Sequence, residues 1–97
     1  MVEKIDIEKL SRFFKGLLDP TRLKMIILLM DKGEMCVNKI VKALNIRELA
    51  VSQQLQILID SGIARKRKEG QFVRYFISND FIRKLIESTE EYLTGGN

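Results

Sequence analysis

The sequence predicts a mainly α-helical domain carrying one small β-hairpin: about five helices and one two-stranded unit. Three observations lead there. Apolar residues recur at helical spacing along successive stretches of the chain. The period shortens to two only around residues 63–77. That same region holds the whole excess of positive charge. The 97 residues suffice for one domain, expected over 1–97, and are too few for two.

Each element has its own reason. Over about 6–17, Ile7, Leu10, Phe13, Phe14 and Leu17 fall on one side of a helix. Asp19-Pro20 opens a second helix, because Asp accepts from orphan N–H groups and Pro lacks the donor that would go unpaired. Leu23, Ile26, Ile27 and Met30 line one face of it. Met25, Leu28 and Leu29 extend the apolar surface, which makes this helix central. Gly33 is expected to end it as a left-handed cap. Val37, Ile40, Val41 and Leu44 then give two turns of a third helix, and Asn45 suits the positive φ of a tight turn. A fourth helix, about 48–61, is expected to bury Val51, Leu55, Leu58 and Ile59 before Gly62 stops it. Two strands follow, 63–69 and 71–77, with Glu69-Gly70 as the turn signal. Asn79 caps a last helix, to about 93, with an apolar face at Phe81, Ile82, Leu85 and Ile86. Two helices joined by a short turn and followed at once by a hairpin make a winged helix-turn-helix. The hairpin is too small to be stable alone, so it must pack on the helices, with its tip beside the fourth.

Composition narrows the function. An apolar fraction of 45% is that of a globular chain. No apolar run approaches membrane-spanning length, and the charged start MVEKIDIEKL has no signal-peptide pattern. The single cysteine makes a reducing cytoplasm the expected location. The net charge is +4, and residues 65–74 hold five basic side chains and one acid, so the remaining 12 basic and 12 acidic groups cancel. Such concentration favours an anionic partner. With no histidine, no nucleophile beside a general base and no glycine-rich phosphate loop, the chain does not read as an enzyme, and no cofactor is expected.

Two constellations suit double-stranded DNA. Ala50, Gln53, Gln54 and, less centrally, Gln56 turn away from the Val51–Leu55–Leu58 stripe. Gln makes two bonds to adenine in a major groove, Ser52 bonds a base or a phosphate, Ala50 admits a thymine methyl, and Glu48 accepts from cytosine. The plainer reading is that glutamine is simply a soluble helix former. In the hairpin, Lys66, Arg67, Lys68 and Arg74 reach phosphate or a minor groove, although lysines also guard exposed strand edges against aggregation. Cys36 is either a small half-buried core residue or a redox or effector contact. One Cys without His builds no ordinary zinc site, so no metal is expected. A winged-helix module that binds protein and not DNA is the alternative, since fold does not fix function.

The stretches LLDPTRLKMIILL (17–29), EMCVNKIVKALNI (34–46) and AVSQQLQILIDSGIARKRKEGQFVRYFI (50–77) resemble the ArsR-type (arsenical-resistance repressor) family of dimeric transcription regulators. The first is similar to the family's L-x-D-P-T-R-L opening, and the last to its V-S-x-H-L recognition helix with a basic wing. The resemblance implies a homodimer joined mainly by the first and last helices, with Phe13, Phe14, Leu85 and Ile86 at the seam. It also implies a repressor that holds a palindromic operator and releases it on an effector. Several positions depart from the pattern. Cys36-Val37-Asn38 stands where many metal-sensing members have Cys-Val-Cys, and without His the last-helix metal site is also incomplete. Gln54 replaces the common His, and Arg47 stands where Ser or Thr would cap the recognition helix, with phosphate within its reach.

Overall fold

In the computed structural model, which describes residues 4–95, the chain runs α1 (Ile7–Lys15), α2 (Pro20–Lys32), α3 (Val37–Leu44), α4 (Glu48–Asp60), β1 (Ala64–Glu69), β2 (Phe72–Ile77) and α5 (Asp80–Leu93). Local chemistry sets the boundaries. Asp6 and Asp19 cap α1 and α2 by accepting from the N–H groups of Lys9 and Arg22, and Asn79 caps α5 by accepting from Phe81. Gly33 ends α2 with φ 83° and ψ −137°. Its φ is positive as expected, but it lies outside the left-handed helical region, because the chain next runs extended into a bridge at Met35. Asn45 takes φ 55° and ψ 49° between α3 and α4, the tight turn that its position requires.

Met25, Ile26, Leu29, Ile40, Val51, Leu55, Leu58, Ile63 and Ile82 form the fully buried centre. Helix α2 packs on α3, α4 and β2, so it is the central element that its all-round apolar surface predicts. Ile59, expected inside, is only half-buried.

The hairpin pairs antiparallel from Ala64↔Ile77 to Glu69↔Phe72. Its turn is Gly70-Gln71, one residue later than the Glu69-Gly70 signal. The first loop residue needs positive φ, and Gly70 (φ 63°) supplies it while Glu69 stays in the ladder. One isolated bridge lies outside the two strands: Met35 exchanges both backbone bonds with Tyr75, at 3.0 and 2.8 Å. Strand β2 is therefore held on both sides, and the base of the wing is fastened to the start of α3.

Close approach places one glycine. A Cβ on the buried Gly16 would meet Ile63 Cδ1 at 2.6 Å, Ser61 Oγ at 2.7 Å and Ser61 Cβ at 2.8 Å. Gly16 has φ −63°, so room and not backbone freedom dictates the residue. Gly16→Ala lowers unfolded-state entropy, worth about 0.4–1 kcal/mol, but forces overpacking that costs about 1–3 kcal/mol. The net expected result is destabilisation, seen as a fall in Tm; an unchanged or raised Tm would contradict the contact.

Helices α1 and α5 sit differently from the rest. No residue of α1 is buried, and Ile7, Leu10 and Phe14 lie exposed along it. On α5 only Ile82 is buried, while Phe81, Tyr92 and Leu93 are exposed. Phe13 and Phe81, with ring centroids 6.2 Å apart, link the two. The radius of gyration is 14.5 Å, above the ~13 Å of a compact chain of ~100 residues.

Candidate nucleic-acid interface

Helix α4 enters the core on one side only. Val51, Leu55 and Leu58 are at most 1% exposed. The opposite side carries Leu49, Ser52, Gln53 and Gln56, all exposed. Ala50 is half-buried at the edge. Gln56 donates to Asp60 Oδ1 at 2.9 Å, one turn on along the same face. Arg47, the N-cap residue, makes no side-chain cap bond, so the first N–H groups of α4 and the Arg47 guanidinium are both presented at this end.

Gln54 differs from its neighbours. It is half-buried, and its Oε1 accepts from Arg22 Nη1 at 2.7 Å. The sequence grouped it with the outward amides; the structure turns it toward α2. Leu49, 70% exposed on the first turn, is the residue that sequence reasoning missed. Its angular position, about 200° from Val51, was the available signal.

The wing stands beside this face. A groove of about 350 Å³ is lined by Cys36, Val37 and Asn38, by Glu48 and Ser52 of α4, and by Gln71, Phe72 and Val73. The start of α4 and the hairpin thus form one concave surface. Cys36 is half-buried in its wall, a free thiol at the N-cap of α3. Within the described chain no three Cys, Asp or Glu side chains converge as metal ligands do.

Cation pairing divides the wing. By register, Lys66 and Lys68 share one face of the hairpin with Tyr75 and Val73, and Arg65 and Arg67 share the other with Phe76 and Arg74. Among the described residues Arg65, Lys66 and Lys68 have no ion-pair partner. Arg67, by contrast, bonds Glu34 and also Glu69 at 3.3 Å, and Arg74 Nε donates to Glu69 at 3.1 Å. Hydrogen bonds from Arg67 and then Arg74 hold the Glu69 carboxyl below the ordinary carboxylate range, and Glu34 followed by Glu69 raises Arg67 further. Glu69 therefore stays ionised at neutral pH. Its contribution is present above the ordinary carboxylate pKa and is lost as pH falls through its lowered value. The two wing arginines that the sequence offered to phosphate are thus already engaged by carboxylates. Glu69→Gln is expected to free Arg74 while Glu34 still holds Arg67, raising affinity for random duplex DNA severalfold and steepening the salt slope by about 1. Anisotropy titrations across a salt series measure this; an unchanged slope would mean that Arg74 does not meet phosphate.

An outward polar helix face beside a basic hairpin, on a three-helix core, defines a winged helix-turn-helix DNA-binding domain. The model of the bacterial regulatory protein, arsR family, matches residues 19–66. An uncharacterized HTH-type transcriptional regulator of Methanocaldococcus jannaschii is 39% identical over 84 residues, 87% of this chain and 94% of that protein. A cadmium resistance regulatory protein homolog of Staphylococcus aureus is 34% identical over 77 residues, 79% of this chain and 64% of its own length. The solution structure of a homodimeric winged helix-turn-helix DNA-binding domain from Mycobacterium bovis superposes with TM-score 0.84 at 26% identity, covering 91% of this chain and 81% of that one. The chain belongs to the arsR family: it is a transcriptional regulator and not an enzyme.

Proposed function

We propose that residues 1–97 form one domain that works as a homodimer on a palindromic operator, repressing transcription until a small effector releases it. The observation that carries this reading is the exposed Leu49–Ser52–Gln53–Gln56 face across a groove from the hairpin, whose Lys66 and Lys68 have no ion-pair partner among the described residues. Gln53 and Ser52 read bases, Leu49 contacts a thymine methyl, and Arg47, Lys66 and Lys68 hold phosphate. The apolar faces of α1 and α5 supply the seam between subunits. A two-fold dimer presents its recognition helices to half-sites about 34–36 Å apart. The homodimeric M. bovis domain and an E. coli relative described as the arsenical resistance operon repressor support both halves of the reading. No helix of the described chain is long and apolar enough to cross a membrane, and a cytoplasmic location belongs to the proposed reading, because it is where a chromosomal operator would be met. Cys36, in the groove wall, is where an oxidant or thiophilic effector would act on the wing.

Selection of bound fragments from genomic DNA, followed by gel shifts, tests this. Gln53→Ala is expected to remove about 1–3 kcal/mol of discrimination on the selected operator and little on scrambled duplex. Charge removal at Lys66 and Lys68 should weaken both and flatten the salt slope by about one per phosphate lost. Equal loss on both duplexes for Gln53→Ala would refute base reading. No shift at all would favour the protein-interaction module.

A further inference from the structure

Arg22, in the first turn of α2, reaches two other helices. Its Nε donates to the Gly16 carbonyl at 3.0 Å, Nη2 to the Lys15 carbonyl at 2.9 Å, and Nη1 to Gln54 Oε1 at 2.7 Å. Asp19 holds the backbone N–H of the same residue at 3.1 Å. Its side-chain acceptors are all neutral. Two are carbonyls at the C-terminal end of α1, where peptide dipoles concentrate negative partial charge; the third is the α4 amide. Among the described residues, the hydrogen bonds that join α1 to α4 all pass through this guanidinium. The planar fork makes the joint directional, which an ammonium on a flexible stem does not.

We propose that Arg22 and Gln54 are positioning residues that set the orientation of the recognition helix against α1. Through the place of α1 in the subunit seam, they also set the span between the two recognition helices of the dimer. The proposal rests on the dimeric operator-binding reading. Helix α1 buries no residue of its own. What attaches it to the body is the packing of Phe13 on the core and on Phe81, the close approach of Gly16 to Ser61 and Ile63, and this bridge. The first two are apolar or steric and tolerate rotation; the bridge fixes angle. Gln54 therefore acts on DNA through α4, while Gln53 next to it contacts the groove.

The test uses the selected operator and derivatives with identical half-sites whose centres are moved by one or two base pairs. Wild type is expected to show a clear spacing optimum. Gln54→Ala should bind the optimal operator about tenfold more weakly, the scale of one charge-assisted hydrogen bond. It should also flatten the spacing dependence, with base preference unchanged at every position. Arg22→Lys should do the same, and the double variant should be no worse than either single one. Gln54→Glu, which keeps an acceptor for Arg22, should retain the optimum. Gln54→Ala is a helix-favouring change at a half-exposed position, so together with Gln54→Glu it carries the test even where Arg22→Lys impairs folding. Relaxed preference at a single base pair with an intact spacing optimum, or additive effects of the two single variants, would overturn the positioning role. A wild type that binds duplex DNA without regard to half-site spacing would overturn the dimeric operator reading itself, and this proposal with it.

Discussion

Phe14→Glu is expected to yield a folded monomer whose operator affinity falls about 10²–10⁴-fold, the loss that follows when two linked contacts become one. Phe14 lies 46% exposed on α1, in line with Ile7 and Leu10 at i−7 and i−4. Its ring meets Phe13 edge-on at 5.4 Å and is not part of the buried core, so the fold is expected to survive its loss. In a two-fold seam the new carboxylate would lose water and meet its own copy, both of which oppose association. Sedimentation gives the mass, and anisotropy on whole and half operators gives the affinity. The half-operator value should be nearly unchanged. A variant that stays dimeric at micromolar concentration would place the seam elsewhere.

Leu55→Ala is expected to remove about 2–5 kcal/mol of stability, out of a total of about 5–15 kcal/mol for a domain of this kind. Leu55 is 1% exposed and sits among the buried residues of α2, α3 and α4, where little can collapse into the space left. Gln53→Ala, two positions away, should change stability by no more than about 0.5 kcal/mol, because its side chain faces water. Urea melts of the two variants therefore separate the inner from the outer side of the recognition helix. Comparable losses in both would mean that the amide face is packed, and base reading by Gln53 would fall with it.

The helix-turn-helix was legible because every determinant is local. Val37, Ile40, Val41 and Leu44 repeat at helical spacing, Asn45 supplies the positive φ, and Val51, Leu55 and Leu58 repeat again. What the sequence concealed depends on residues distant along the chain. Gln54 lies about 60° from Val51, beside the buried stripe, so its inward turn was legible in its angle, but its partner Arg22, 32 positions away, was not. Arg67 finds Glu34 across 33 positions, so a count of charges in the wing overstates its free cations. The Met35–Tyr75 bridge is a single residue pair, too short to show alternation. Gly16 owes its identity to Ser61 and Ile63. Leu49 was overlooked for another reason: an apolar side chain on a helix is taken for core unless its angle is checked.

The carboxylates of Glu34 and Glu69 have a consequence at the scale of the chromosome. By occupying Arg67 and Arg74 they moderate the attraction of the hairpin for any phosphate backbone. A genome offers about 10⁶–10⁹ competing stretches to any regulator that binds DNA. A more strongly cationic fingertip would leave most molecules parked on irrelevant sequence. Under the proposed repressor role, two acids on the protein surface help govern how many copies must be synthesised to fill an operator.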